Sequence, residues 1–242
     1  MRAPADGYTL LLASPPSAIN ATLYDRLNFV FLRDITPVAG VIRAPFIMEV
    51  NPSVSAKTVP EFIAYAKANP GKISMASAGI GSGPHVAGEL FKMMAAVSII
   101  HVPYRGQGPA LTDLLSGQVQ LYFAGIPSSI QYLRASKLRA LAVTTATRSE
   151  ILPDIPTLSD VLPGYEASFW GGFCAPKNTP AEIIDTLNKE INAALVDPKM
   201  KARIADLGAT VLPGQPADFG KLIAGETEKW ANVIRAANIK AE

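Results

Sequence analysis

Short apolar runs alternate with longer stretches of helical periodicity through most of the chain. "YTLLLA" (residues 8–13) reads as a buried strand, and "TPVAGVIRAPFIMEV" (residues 36–50) as two β-rich runs around Ala44-Pro45. Thr58-Val-Pro-Glu61 has the spacing of a capping box and predicts a helix through "EFIAYAKAN", stopped by Pro70-Gly71. The alternation then repeats: strand "KISMAS", loop and helix "SAGIGSGPHVAGELFK", strand "SIIHVPY", loop "RGQG", helix "PALTDLLSG", strand "QVQLYFA", helix "PSSIQYLRA", strand "LRALAVTT". Such alternation predicts βαβ units and a mainly parallel sheet covered on both faces.

A turn-rich stretch follows, "RSEILPDIPTLSDVLPG", and "YEASFWGGFCAP" then returns to strand chemistry. Thr179-Pro-Ala-Glu182 repeats the capping-box spacing ahead of a helix with Ile184, Leu187, Ile191 and Leu195 on one face. Asp197-Pro198 predicts another helix start, ending at Leu207-Gly208. A last helix over residues 217–237 spaces Phe219, Leu222, Ile223, Trp230, Val233 and Ile234 as a core stripe. The pattern predicts an α/β protein of two lobes. Residues 46–168 form the middle lobe, and residues 1–45 pair with 169–242 to form the terminal lobe.

Composition narrows the function. The 242 residues are 49% hydrophobic and 17% charged, enough for packed cores and against disorder. A net charge of +2 with no basic block excludes a nucleic-acid binder of the usual kind. The single cysteine, Cys174, excludes an internal disulfide, and no apolar run is long enough to insert in a membrane. Met1-Arg2 leads into polar "APADG" without the pattern of a signal peptide.

"SAGIGSGPH" is where chemistry concentrates. It departs from the dinucleotide fingerprint because Pro84 stands at the third glycine position and no acid ends the next strand. Gly79, Gly81 and Arg105 leave open an NADP-dependent or other small-molecule enzyme. A P-loop is excluded by the missing lysine, and G-x-S-x-G by the glycines that flank Ser82 directly. Ser82–His85 or Cys174–His101 couples have no third group at a suitable spacing. The two histidines and the scattered acids show no metal-ligand spacing, and no cofactor is implied.

What remains is anion binding. Ala78, Gly79, Ile80, Gly81 and Ser82 allow close backbone approach. Pro84 suits a first helical turn, and the amides there favour negative charge, with His85 as a further donor or a cap. Tyr104, Arg105 and Gly106 precede a second helix in the same way, and Gly125, Pro127 and Ser128 a third. All three loops would lie at the carboxyl ends of parallel strands, where open α/β sheets bind ligands.

The segments "NPGKISMASAGIGSGPHVAGELFKMMA", "HVPYRGQGPALTDLLSGQVQLYF", "KLRALAVTTATRSEILPDIPTLSDVLPGYEAS" and "ADGYTLLLA" closely resemble the solute receptors of tripartite tricarboxylate transporters, the Bug-type proteins. The resemblance implies a type II periplasmic-binding-protein fold and no enzymatic activity. Two lobes would close on a small organic acid, a carboxylate or dicarboxylate, in a monomeric periplasmic receptor that hands its ligand to integral membrane subunits. Carried over by position, Ser14, Pro15 and Ser17 would bind ligand from the terminal lobe. Residues 78–82 with His85, residues 104–106, Ala124, Gly125, Pro127 and Ser128, and the Phe169–Trp170 crossing would complete the cleft. Two departures carry expectations of their own. The chain starts at what resembles the family's third strand, so the signal and half of the carboxylate clamp are expected to be missing. Ala124 stands where relatives carry a polar or acidic residue, which points to a plain carboxylate.

Overall fold

The computed structural model describes residues 3–24 and 26–241; Met1-Arg2, Asp25 and Glu242, at the ends of and within the expected terminal lobe, lie outside the described residues. The chain divides into two compact units, residues 3–43 with Phe169–Ala241 and Ala44–Ser168.

In the first unit, β1 (Leu11–Ala13) pairs antiparallel with β7 (Ser168–Pro176), which lies beside β2 (Ile35–Val50); β8 (Thr210–Val211) pairs antiparallel with β2 on its other side. Helix α1 (Pro15–Leu23) packs on α9 (Pro216–Ala236), and α2 (Phe31–Asp34) leads into β2. Helix α7 (Ala181–Val196) presents Ile184, Leu187 and Ile191 to Val38, Ala39, Phe173 and Ala175. Asn188, on the same helix, is buried because its amide donates to the Val38 and Gly214 carbonyls at 2.8 and 2.9 Å. Helix α8 (Pro198–Asp206) starts as its sequence predicts, with Asp197 accepting from the amides of Lys199 and Met200.

In the second unit the strand order is β4 (Ile100–Pro103), β3 (Ser74–Ser77), β5 (Leu121–Gly125), then β2, with β6 (Arg139–Val143) also on β2. Strand β3 is parallel to β4 and to β5, whereas β5 and β6 run antiparallel to β2. The sheet is therefore mixed. The two β-rich runs around Ala44-Pro45 are one strand, β2, which enters from the first unit against the direction of the βαβ strands. Helices α3 (Val59–Ala68), α4 (Gly83–Ala95), α5 (Gln107–Ser116) and α6 (Ile126–Arg134) connect or cover these strands. The core under α5 and α6 gathers Ala76, Ala110, Leu114, Tyr122 and Leu138.

Candidate functional site

Because β3, β4 and β5 are mutually parallel, the helices that follow them, α4, α5 and α6, all begin at one edge of the second unit's sheet. Each brings its first-turn amides and the positive end of its dipole there. The loops touch. A Cβ added to Gly79 would lie 3.4 Å from the Tyr104 carbonyl, and the Ser128 hydroxyl lies 2.7 Å from Gly125 O and 2.8 Å from Gln107 Oε1. So residues 77–83, 104–107 and 125–128 form a continuous rim of small residues, hydroxyls and amides.

The first loop is shaped by its own hydrogen bonds. Ser77 Oγ accepts from the Gly79 amide at 3.2 Å, and the Gly79 carbonyl accepts from the Ser82 amide at 3.1 Å and from Ser82 Oγ at 2.7 Å. Ser82 Oγ in turn caps α4 by accepting from the His85 amide at 3.4 Å. Gly79 and Gly81 adopt φ of +123° and +72°, conformations that favour glycine. His85 is buried, and its Nδ1 accepts from the Gly81 amide at 3.1 Å. Its ring stacks on His101 with centroids 3.7 Å apart and planes 11° apart. His101 Nε2 meets Ser77 Oγ at 2.6 Å. Burial, then the nearby His101 and Lys92, lowers the pKa of His85 to about 3; burial and Lys92 lower that of His101 to about 4. Both rings are neutral at physiological pH.

This geometry removes nucleophilic chemistry from the loop. The Ser82 proton points to Gly79 O, and the imidazole nitrogen that could act as its base is engaged by Gly81. Cys174 belongs to the first unit and His101 to the second, and burial pushes the Cys174 thiol up to about 12. No group of three or more metal-ligating side chains occurs among the described residues.

The other residues singled out by sequence are distributed as follows. Arg105 is exposed and Gly106 begins α5 with φ of +110°. Tyr104 Oη donates to Asp113 Oδ2 at 2.7 Å, so its hydroxyl is tied to α5; burial and then Asp113 push it up to about 12. Ala124 is fully buried in the core cluster with Tyr122, and Pro127 is exposed in the first turn of α6. In the first unit, Ser14 caps α1, with its amide 3.4 Å from Ser17 Oγ, and Pro15 opens the helix. Phe169 is half-buried, whereas Trp170 is fully buried and donates from Nε1 to Glu226 Oε2 at 3.0 Å. That bond makes Trp170 part of the first unit's core. Gln107 and His101 were missed as loop-shaping residues. Their roles depend on the lateral register of β3, β4 and β5, which no spacing along the chain displays.

Two α/β units, with helix N-termini gathered over the parallel strands of one of them, are the architecture of two-lobed solute-binding proteins. The chain belongs to the tripartite tricarboxylate transporter family of receptors, whose family model matches residues 1–239. Members of this family are solute-binding receptors, not enzymes, and this disposes of the nicotinamide-nucleotide alternative. The chain is 36% identical to protein BugT of Bordetella pertussis, over 98% of this chain and 73% of that one. The solved structure of Rpa4515 from R. palustris with adipate superposes with a TM-score of 0.87 at 35% identity, covering 99% of this chain and 81% of the other. MatC from Rhodopseudomonas palustris with bound malate gives a TM-score of 0.81 at 29% identity, covering 96% and 81%.

Proposed function

We propose that the protein is a periplasmic receptor for a small dicarboxylate, which it delivers to the integral membrane subunits of a tripartite tricarboxylate-type transporter. The observation that carries the reading is the gathering of three helix N-termini behind small-residue loops at one sheet edge, with glycines at positive φ in two of those loops. Such an edge offers backbone amides to an anion without a competing base or nucleophile, and a carboxylate shielded from water requires that many donors. Two relatives of similar fold hold adipate and malate, both dicarboxylates. In this chain Ser82, Gly81 and Gly79 shape the first loop, Tyr104, Arg105 and Gly106 the second, and Gly125, Pro127 and Ser128 the third. In the first unit the Ser14–Ser17 turn opens α1 with a similar pairing of hydroxyl and helix N-terminus.

Thermal-shift and calorimetric titrations with adipate, malate and NADPH test this. Adipate or malate is expected to raise the melting temperature in a concentration-dependent way, as a ligand specific for the folded state must. The double variant Gly81→Val/Ser82→Ala, which forces a β-branched residue into positive φ, should lose that response while still unfolding cooperatively. Saturable binding of NADPH, with no response to either acid, would sink the receptor reading.

A further inference from the structure

We propose that His85 and His101 act as a paired positioning device for the 77–82 loop: both rings must be neutral for the loop to keep its anion-binding shape, so acidification unlocks the loop and weakens carboxylate binding. The inference rests on the reading of this loop as part of the carboxylate site.

Three contacts carry it. His85 Nδ1 is the acceptor for the Gly81 amide at 3.1 Å, so the ring proton sits on Nε2. His101 Nε2 is joined to Ser77 Oγ at 2.6 Å, and Ser77 Oγ accepts from the Gly79 amide. The rings lie face to face at 3.7 Å. Two alternate amides of the loop are thus fixed by one histidine each, directly for Gly81 and through Ser77 for Gly79. Stacking makes the two fixations mutually dependent. A proton on His85 Nδ1 would confront the Gly81 N–H with another donor. A second proton, on His101, would place two cations in contact in a partly buried site.

The surrounding charges favour the neutral pair. On α4, Lys92 faces both rings. Glu89 Oε1 stands 3.8 Å from His85 Nε2 and would favour the cation, but the same oxygen accepts from Lys92 Nζ at 2.8 Å. From β3 the hydroxyl of Ser77 reaches His101 Nε2. Each histidine is depressed in the folded state relative to an ordinary value of about 6.5. The folded state therefore binds fewer protons than the unfolded chain across the window below pH 6.5. The stabilisation is full above about pH 6.5 and declines as the pH falls towards 3 to 4.

The test reads the loop with and without a ligand. Nitrogen-15 NMR of the wild-type imidazoles should show His85 as the neutral Nε2–H tautomer at pH 6, and His101 neutral with it; a cationic ring of either at that pH overturns the proposal. His85→Phe keeps a stacked ring and removes the acceptor. It should speed amide exchange at Gly81 at least tenfold and weaken adipate or malate binding at least tenfold. His85→Asn returns an oxygen to the Nδ1 position and should recover a large part of both losses; its residual binding should fall less steeply between pH 6 and 4 than that of wild type. Unchanged Gly81 exchange in a folded His85→Phe protein overturns the positioning role. A wild-type protein that shows the expected exchange and tautomers but takes up neither acid overturns the ligand reading instead, because the exchange data judge the loop separately.

Discussion

Ser129 on α6 donates its hydroxyl proton to Glu49 Oε1 on β2 at 2.7 Å. Glu49 has no exposed surface, and neither its Oε2 nor Tyr122 Oη, on the neighbouring strand, has a hydrogen-bond partner among the described residues. Burial raises the Glu49 pKa to about 8, against the lowering effect of Ser129. The carboxyl is thus protonated at neutral pH, because an ion there would lack a counter-charge.

The sign of the resulting pH dependence is fixed. The folded pKa lies above the unfolded value of about 4.3, so the folded state holds the extra proton. Its contribution is full below about pH 4 and is lost as the pH rises through about 8. Glu49→Gln is isosteric and does not titrate. Urea midpoints at pH 5, 7 and 9 should show wild type losing stability relative to the variant by a few kcal/mol, since a tenfold change in proton affinity is worth about 1.4 kcal/mol. Parallel curves for the two proteins would refute the buried neutral carboxyl.

Tyr122→Phe removes the unpartnered hydroxyl and leaves the ring in its core cluster. Deleting a buried polar atom that makes no bond should be neutral or stabilising by up to about 1 kcal/mol. A loss beyond that, measured by the same urea method, would mean that the hydroxyl is hydrogen-bonded in solution.

Glu226 is the polar centre of the first unit's core. Its Oε2 accepts from Trp170 Nε1 at 3.0 Å and Trp230 Nε1 at 2.9 Å, and its Oε1 pairs with Lys229. Glu226→Ala would strand two buried indole N–H groups and should cost about 3–5 kcal/mol. Glu226→Gln keeps one acceptor and should cost less. Because the chain's only tryptophans are Trp170 and Trp230, emission spectra should shift in the order alanine, glutamine, wild type.

Two glycines should respond oppositely to alanine. A Cβ on Gly172 would overlap the Ala39 carbonyl oxygen and the Phe219 ring at Cζ. Backbone cannot yield as a flexible side chain does, so Gly172→Ala should destabilise by about 1–3 kcal/mol or more. Gly225, within α9, has nothing within 4 Å of its added Cβ, and Gly225→Ala should stabilise by about 1 kcal/mol through helix propensity. Melting temperatures of both variants check the pair.

Local chemistry was legible in the sequence where a feature and its partner lie within one turn. Thr58 does cap α3, accepting from the Glu61 amide at 3.3 Å, although the Glu61 carboxylate takes the Lys57 amide in place of that of Thr58. The same spacing at Thr179 misleads: α7 is capped by Pro180, and Thr179 Oγ donates back to the Pro176 carbonyl. Ala44-Pro45 reads as a break because proline cannot donate to a ladder. It is accommodated in a continuous strand because the pairing with β8 ends at Arg43 and that with β5 starts at Phe46. For the candidate site, the glycine loops announce themselves by composition. The histidine pair does not, since His85 and His101 meet only after α4 has folded back over β3 and β4 has docked beside it in register. Nor could spacing show that Ala124 and Trp170 are buried, because burial is decided by what packs above them.

The interleaving of the two units along the chain dictates an order of assembly. Ala44–Ser168 is contiguous and holds all three glycine-containing loops, so it can fold while the chain is still emerging from the ribosome. In the first unit β7 lies between β1 and β2, so the β1–β7 pairing closes only after the whole second unit has been made.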